Sequence, residues 1–506
     1  MSSPAPSKLS KAGHWIAEEF GLKSLVSAGK DAHLLILTRA VRMFAYGAAA
    51  FVLALYFEAL HISDFRIGLF MTLTLLGDVL ISLILTIVAD KLGRRNILLL
   101  GALMMAFSGV VFASTGKYWL LLLAAIVGVI SPSGGEIGPF RAVEESTLAH
   151  LVEASKRSDV FAWYVVFAIF GTSAGVLVGG GIVDHFRALD GWTDVDAYRI
   201  VFWAYTGLGL LKGILVLFLS NKCETDKRNE SQEAAQIAPE EDETDPLLGG
   251  ESIQQPIENG GAPKPAEKSS RNPFAHISVQ SRWILLRLCA LFCIDSMASG
   301  MVPFSLLNFY MDRKFHLPKT KLSSIMSATW IFSAVGNIFA SSISKRIGLV
   351  KTMVFTHLPS AIFLALFPIP NSLALTICLL VARASLSSMD QAPRSAFLSA
   401  VVLPNERTAV MGIVNVSKTL SQSVGPVITG ALAGHDRFWI AFVVAGSMKA
   451  AYDIGLLTFF VNTKLSRNET EQHGGAATEV PEGGSDVERT EGAEAIPEGT
   501  APQRSN

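Results

Sequence analysis

Residues 82–107 read SLILTIVADKLGRRNILLLGALMMAF. Two apolar runs flank a short charged break from Asp90 to Arg95. The runs extend outward to about 65–89 and 96–115, and each is long enough to cross a bilayer, which takes about 20 residues. The break leaves room only for a tight reversal, and Gly93 supplies the backbone freedom for one. Lys91, Arg94 and Arg95 would then lie at one membrane surface. The unit is a helical hairpin threaded through lipid, and the rest of the chain is read outward from it.

The same measure gives twelve segments: 34–58, 65–89, 96–115, 118–138, 158–183, 199–220, 283–310, 322–344, 350–370, 371–392, 408–433 and 437–462. They are continuous Leu, Ile, Val, Ala and Phe stretches rather than ten-residue alternations, so they predict helices and not a barrel. Composition agrees. The 506 residues are 50 % hydrophobic and 17 % charged, with a mean hydropathy of +0.41, against about 25 % charged in soluble proteins. The net charge of −1 and the lack of a basic domain exclude a nucleic-acid binder. Cys289 and Cys293 lie four apart with no His or further Cys nearby, so neither a metal site nor a disulfide framework is expected. The ten histidines are scattered without H-E-x-x-H spacing. The chain is therefore not expected to be an enzyme, and no cofactor is expected.

Residues 1–33 are polar and read as a cytoplasmic N-terminal segment without a cleavable signal. Residues 221–280 and 463–506, rich in Glu, Gly, Pro and Ser, read as a disordered linker and a disordered tail. They leave two six-helix halves, 34–220 and 281–462. Lys and Arg in the N-terminal flank and in the loops after spans 2, 4 and 8 fall on one side, so both termini are expected in the cytoplasm. The loop after span 7, with Arg313, Lys314, Lys319 and Lys321, is the exception. Glu243 to Leu248, EDETDPLL in context, has the form of an acidic dileucine signal for vacuolar or endosomal sorting. The plasma membrane is the other expected location. Asn229-E-S and Asn468-E-T fit the glycosylation pattern on the cytoplasmic side, where it goes unused.

The halves repeat. Gly93 in ADKLGRR matches Gly348 in SKRIGLV at an offset of 255. Gly171-T-S-A-Gly175-V-L-V-Gly179-Gly180 in span 5 matches Ser421-Q-S-V-Gly425-Pro426-V-I-T-Gly430 in span 11 at an offset of 250.

Twelve helices, a long middle loop and D-x-x-G-R-R after span 2 resemble the major facilitator superfamily of secondary transporters. Asp90, Gly93, Arg94 and Arg95 match that family's motif, whose leading Gly is Thr86 here. The Gly run of span 5 resembles the drug/proton antiporter branch at Gly171, Gly175, Gly179 and Gly180, with Val176 in place of the branch's Pro. Span 4 lacks the Arg usual in that branch. The resemblance implies alternating access, a gating role for the loop after span 2, and a cavity lined by spans 1, 4, 7 and 10.

Charged residues at membrane depth are costly and mark function. At about 1.5 Å per residue, Asp78 lies about 18 Å from Asp90, and Asp295 and Arg383 are similarly deep. Arg42 and Lys418 lie two to three turns in. Arg42, Asp78, Asp295, Arg383 and Lys418 are thus candidates for the substrate or proton path, with a buried carboxylate loading the proton. Arg39 is read as snorkelling, and Lys449 and Asp453 as an i,i+4 pair within span 12. Span 4 ends in SPSGGEIGPFRAVEES and span 10 in SSMDQAPRSAF. Glu136, Arg141, Glu144, Asp390 and Arg394 in these ends are candidate gate charges. Gly171, Gly175, Gly179, Gly180, Gly425 and Pro426 are candidate close-packing positions.

The expected function is proton-coupled export of a small organic solute by a monomer in the bilayer. The alternatives are import, vacuolar transport, or a non-transporting membrane sensor of the same fold.

Overall fold

The computed structural model describes residues 21–128, 130, 139–153, 156–220, 223–224, 279–401 and 407–460. Glu136, the acidic dileucine stretch, Asn229, Asn468 and the tail lie outside these residues, as does the side chain of Asp90.

Each of the twelve segments read from the sequence contains a helix. In chain order they are α1 (Lys30–Ala59), α2 (Asp64–Leu92), α3 (Arg94–Ser114), α4 (Tyr118–Gly128), α5 (Arg157–Arg187) and α6 (Asp194–Leu217) in the first half. The second half has α7 (Val279–Met301), α8 (Lys319–Ile347), α9 (Leu349–Leu366), α10 (Leu373–Ser388), α11 (Arg407–Ala433) and α12 (Phe438–Phe460). Four further helices, Leu22–Ser27, Pro139–Leu151, Phe304–Phe315 and Gln391–Val401, precede or continue α1, α4, α7 and α10. Pro139 opens its helix at a position where no amide donor is needed. Among the described residues, seven helices are long and apolar enough to span a membrane alone, and an eighth span results if α7 and Phe304–Phe315, bent by 42°, count as one. α8 and α11 are long and rich in Ser and Thr. Both face the opposite half, where Ser and Thr find partners instead of lipid.

The fold is all-helical, with twelve spans in two six-helix halves. α1 packs on α5 and α3 on α6; α7 packs on α11 and α9 on α12. Gly93 and Gly348 both take φ near +85°, at 83° and 88°, to turn the chain between the second and third helix of each half. Each half also closes on an aromatic trio at its first, third and sixth helices. Tyr56 and Phe112 meet Phe202 at 5.1 and 4.8 Å. Tyr310 and Phe367 meet Phe442 at 4.5 and 5.2 Å. Tyr56 and Phe112 precede Tyr310 and Phe367 by 254 and 255 residues, the repeat offset.

The glycines are where backbones touch. A Cβ on Gly171 would stand 2.6 Å from the Ala40 carbonyl oxygen, and one on Gly175 would overlap that of Phe44. Gly179 faces Ala48, so three glycines lay α5 against α1. Gly180, on another face, meets Ser323 of α8 across the halves. Gly425 meets Gly300 of α7, and the Pro426 carbonyl sits over Gly68 of α2.

Hydrogen bonds between the halves run from mid-helix toward the end carrying the α1–α2 turn. Ser173 Oγ lies 2.8 Å from Ser327 Oγ, and Ser305 Oγ donates to the Ala50 carbonyl. The Asp184 carboxylate receives the first amides of α8, Lys319 at 3.0 Å and Thr320 at 2.6 Å. Arg313 forks onto Asp64 at 2.7 and 2.8 Å and reaches Glu58 at 3.1 Å. Lys319 pairs with Asp312, and Lys314 donates to the Pro368 carbonyl. Three of the four positive charges that broke the loop-charge pattern, Arg313, Lys314 and Lys319, are thus held by internal contacts.

Candidate functional site

Two buried charge networks occupy corresponding places in the halves. In the first, Glu144 of helix Pro139–Leu151 is fully buried and accepts from Arg42 Nη2 at 2.9 Å, Lys212 Nζ at 3.1 Å and Tyr164 Oη at 2.9 Å. Arg39 Nη1 lies 3.7 Å from the same carboxylate, and its guanidinium covers the Tyr164 ring at 5.1 Å. Three cations from α1 and α6 therefore surround one carboxylate. Arg39 is 5 % exposed, so it does not snorkel; the Glu144 charge draws it inward.

In the second network Asp295 of α7 is the hub. Its two oxygens accept from Lys449 Nζ at 2.7 Å and Arg394 Nη1 at 2.8 Å, and His357 Nε2 lies 3.8 Å away. Lys449 also donates to Ser299, at 2.7 Å. His357 Nδ1 meets the Asp453 carboxylate at 2.9 Å, and Arg394 pairs with Asp390. Phe292 and Tyr452 flank the Arg394 guanidinium at 5.6 and 5.3 Å. Lys449 and Asp453 do not pair with each other as their spacing implied. Lys449 turns to α7 and Asp453 to α9, because a buried charge on another helix outweighs a local i,i+4 contact. With three carboxylates, two permanent cations and one imidazole, the network is charge-balanced when it holds one extra proton.

The other candidates lie around these hubs. Asp78 is buried on α2, at 1 % exposure. Lys418 sits 5.7 Å from the Phe292 ring. Arg383 lines a cavity of about 200 Å³ between α7, α8 and α10. The gate candidates Glu144, Asp390 and Arg394 each pair within their own half, and Arg141 pairs with Glu145 one turn on, at 2.6 Å.

The turn after α2 is held from an unforeseen direction. Arg94 and Arg95 amides donate to Glu224 at 2.9 and 3.1 Å, and the Arg95 side chain reaches the Leu217 carbonyl at 2.6 Å. Glu224 caps α3, and Cys223 beside it is buried, its thiol pushed up to about 11 by that burial. Both residues belong to the fold, although composition assigned them to the linker. Lys212 and His357 were also missed. Lys212 was visible as a lone charge in an apolar span.

Known proteins give the same picture. Residues 35–309 and 288–491 match the family described as Major Facilitator Superfamily. The chain is 33 % identical over 448 residues to the uncharacterized membrane protein YJR124C of Saccharomyces cerevisiae, covering 87 % of this chain and 96 % of that one. Among solved structures it resembles the nucleoside transporter NupG (TM-score 0.61, 14 % identity, 86 % of this chain and all of that one). It also resembles the inward-open xylose transporter XylE of E. coli (0.61, 14 % identity, 87 % and 98 %). At such identities these structures speak for the fold alone. Family match, repeated halves and paired charge networks lead to one conclusion: the chain belongs to the major facilitator superfamily.

Proposed function

We propose that this integral multi-pass membrane protein is a proton-coupled secondary transporter of a small organic solute, working by alternating access as a monomer. The observation that carries the reading is the Asp295 network. Ionisable groups at membrane depth are expensive unless paired or used. Here Asp295, Asp453 and Asp390 face Lys449, Arg394 and His357, with Tyr452 alongside, and the arrangement holds one proton at balance. Loading and release of that proton at the His357–Asp453 pair, as the helices α7, α9 and α12 shift, is the coupling step. Asp295 keeps the two cations in place.

The loop after α2, with Asp90, Gly93, Arg94 and Arg95, serves as the gating element, anchored through Glu224. Glu136, Arg141, Glu144, Asp390 and Arg394 act at the same membrane face when the other end opens. Export is the direction implied by the Gly run of α5, whose contacts support a packing role. The plasma membrane or the vacuolar membrane, with cytoplasmic termini, is the proposed location.

The test is reconstitution in liposomes with an imposed pH gradient, against a panel of small organic solutes. Gradient-driven accumulation is expected, and Asp295→Asn is expected to abolish accumulation while exchange of solute at equal concentrations persists in part. Flux that ignores the gradient in the wild type refutes proton coupling.

A further inference from the structure

Resting on the transporter reading, we infer that the solute is a small monocarboxylate with an apolar body, bound with its carboxylate on Arg383. The Arg383 guanidinium lines the cavity of about 200 Å³ and makes no hydrogen bond or ion pair among the described residues. A guanidinium stays protonated and carries five donors in a planar fork that matches a carboxylate. Trp330 lines the same cavity, and its buried Nε1 likewise has no hydrogen-bond partner among the described residues. The cavity therefore presents one unpaired guanidinium, and the Trp330 ring beside it keeps a buried Nε1 donor unmet, which is costly.

The hydroxyls that are placed there donate elsewhere. Thr329 bonds the Ile325 carbonyl and Ser388 the Ser333 carbonyl. What the cavity lacks is an acceptor of charge −1. Arg383 is the one charged residue among the described lining, so a monoanion balances it, whereas a phosphate dianion would leave a buried negative charge. Phe304, Met326, Leu380 and the Trp330 ring form apolar wall. At about 30 Å³ per atom, the share of one water molecule in the liquid, the volume takes about seven non-hydrogen atoms. Ser360, one turn from His357 on α9, donates to the Arg383 carbonyl at 3.0 Å, so the cavity abuts the Asp295 network.

The experiment uses the full chain in lipid nanodiscs and calorimetric titration with isobutyrate and isovalerate against their neutral amides. Each acid is expected to bind at least about 10-fold more tightly than its amide. Arg383→Gln should erase that preference, and Arg383→Lys, which keeps the charge but loses the fork, should restore only part of it. Because the guanidinium holds no other group, both variants should keep the wild-type melting temperature. Equal binding of acid and amide, no binding of either acid, or a preference that survives Arg383→Gln overturns the inference. Acid binding without gradient-driven flux would sink the coupled-transport reading instead. Flux of neutral solutes without acid preference would leave that reading standing and remove this one.

Discussion

The fork from Arg313 to Asp64, with Glu58 beside it, ties helix Phe304–Phe315 to the α1–α2 turn and so closes the halves at that end. Replacing Arg313 with Met should loosen this closure by a calculable amount. A hydrogen bond to a charged group contributes about 1.5–3 kcal/mol when buried. The Arg313 side chain is 36 % exposed and Asp64 13 %, so screening brings the whole fork to about 1–2 kcal/mol. That shifts a two-state equilibrium about 5- to 30-fold, and an open-end state populated at about 1 % would rise to about 5–25 %.

Spin labels at Asp190→Cys in the α5–α6 turn and Arg437→Cys in the α11–α12 turn read the opening, in a background lacking the four native cysteines. Both sites are exposed, one in each half. A second, longer distance should appear in Arg313→Met. Asp64→Asn should produce a smaller version, and the double variant should add less than the two singles together. Identical distance distributions in wild type and Arg313→Met would refute the latch.

Two further substitutions probe the networks and the packing. Glu144→Gln leaves Arg39, Arg42 and Lys212 without their shared counter-charge and should cost about 3–5 kcal/mol, read as a lowered melting temperature. Adding Lys212→Met should recover part of the loss, and an unchanged melting temperature in the single variant would remove Glu144 as hub. Gly175→Val drives a side chain into the Phe44 carbonyl and should destabilise by about 1–3 kcal/mol, measured by size-exclusion survival after heating. Gly181→Ala, with nothing within 4 Å, is the control that should be silent.

Much of this architecture is legible in the sequence because lipid imposes a hard length rule. Each of the twelve apolar segments holds a helix, including α8 and α11, whose Ser and Thr mark the face between halves. Charge at depth singled out Asp295, Arg383 and Arg42 for the same reason. Partner choice was not legible, because it depends on helix rotation. Lys449 and Asp453 satisfy a local spacing rule and yet reach different helices, and Arg39 is long enough to snorkel and yet is drawn to Glu144. The positive loop after α7 looked like a topology signal. Arg313 is spent on Asp64 and Glu58, far away in sequence, and Lys319 on Asp312 of the preceding helix.

Glu144 and Arg394 are 250 residues apart, the same offset as Gly175 and Gly425, and opposite in sign. Each sits on the helix continuing the fourth span of its half and meets a charge on the first: Arg42 in one half, Asp295 in the other. The first network is left with excess positive charge and the second with room for a proton. If the solute is a monocarboxylate, carrying it together with one proton in the same direction moves no net charge. Exchanging it against a proton moves two. The antiport implied by the α5 glycines and the co-transport favoured by charge balance therefore separate in one measurement. With the pH gradient fixed and a potassium diffusion potential of varied size and sign across the liposome, electroneutral co-transport predicts an unchanged carboxylate accumulation. Antiport predicts about a 50-fold change in the accumulation ratio per 50 mV, because each 100 mV is worth about 2.3 kcal/mol per charge and two charges cross. A voltage-sensitive accumulation would reject co-transport and return the direction to the one read from the glycine motif.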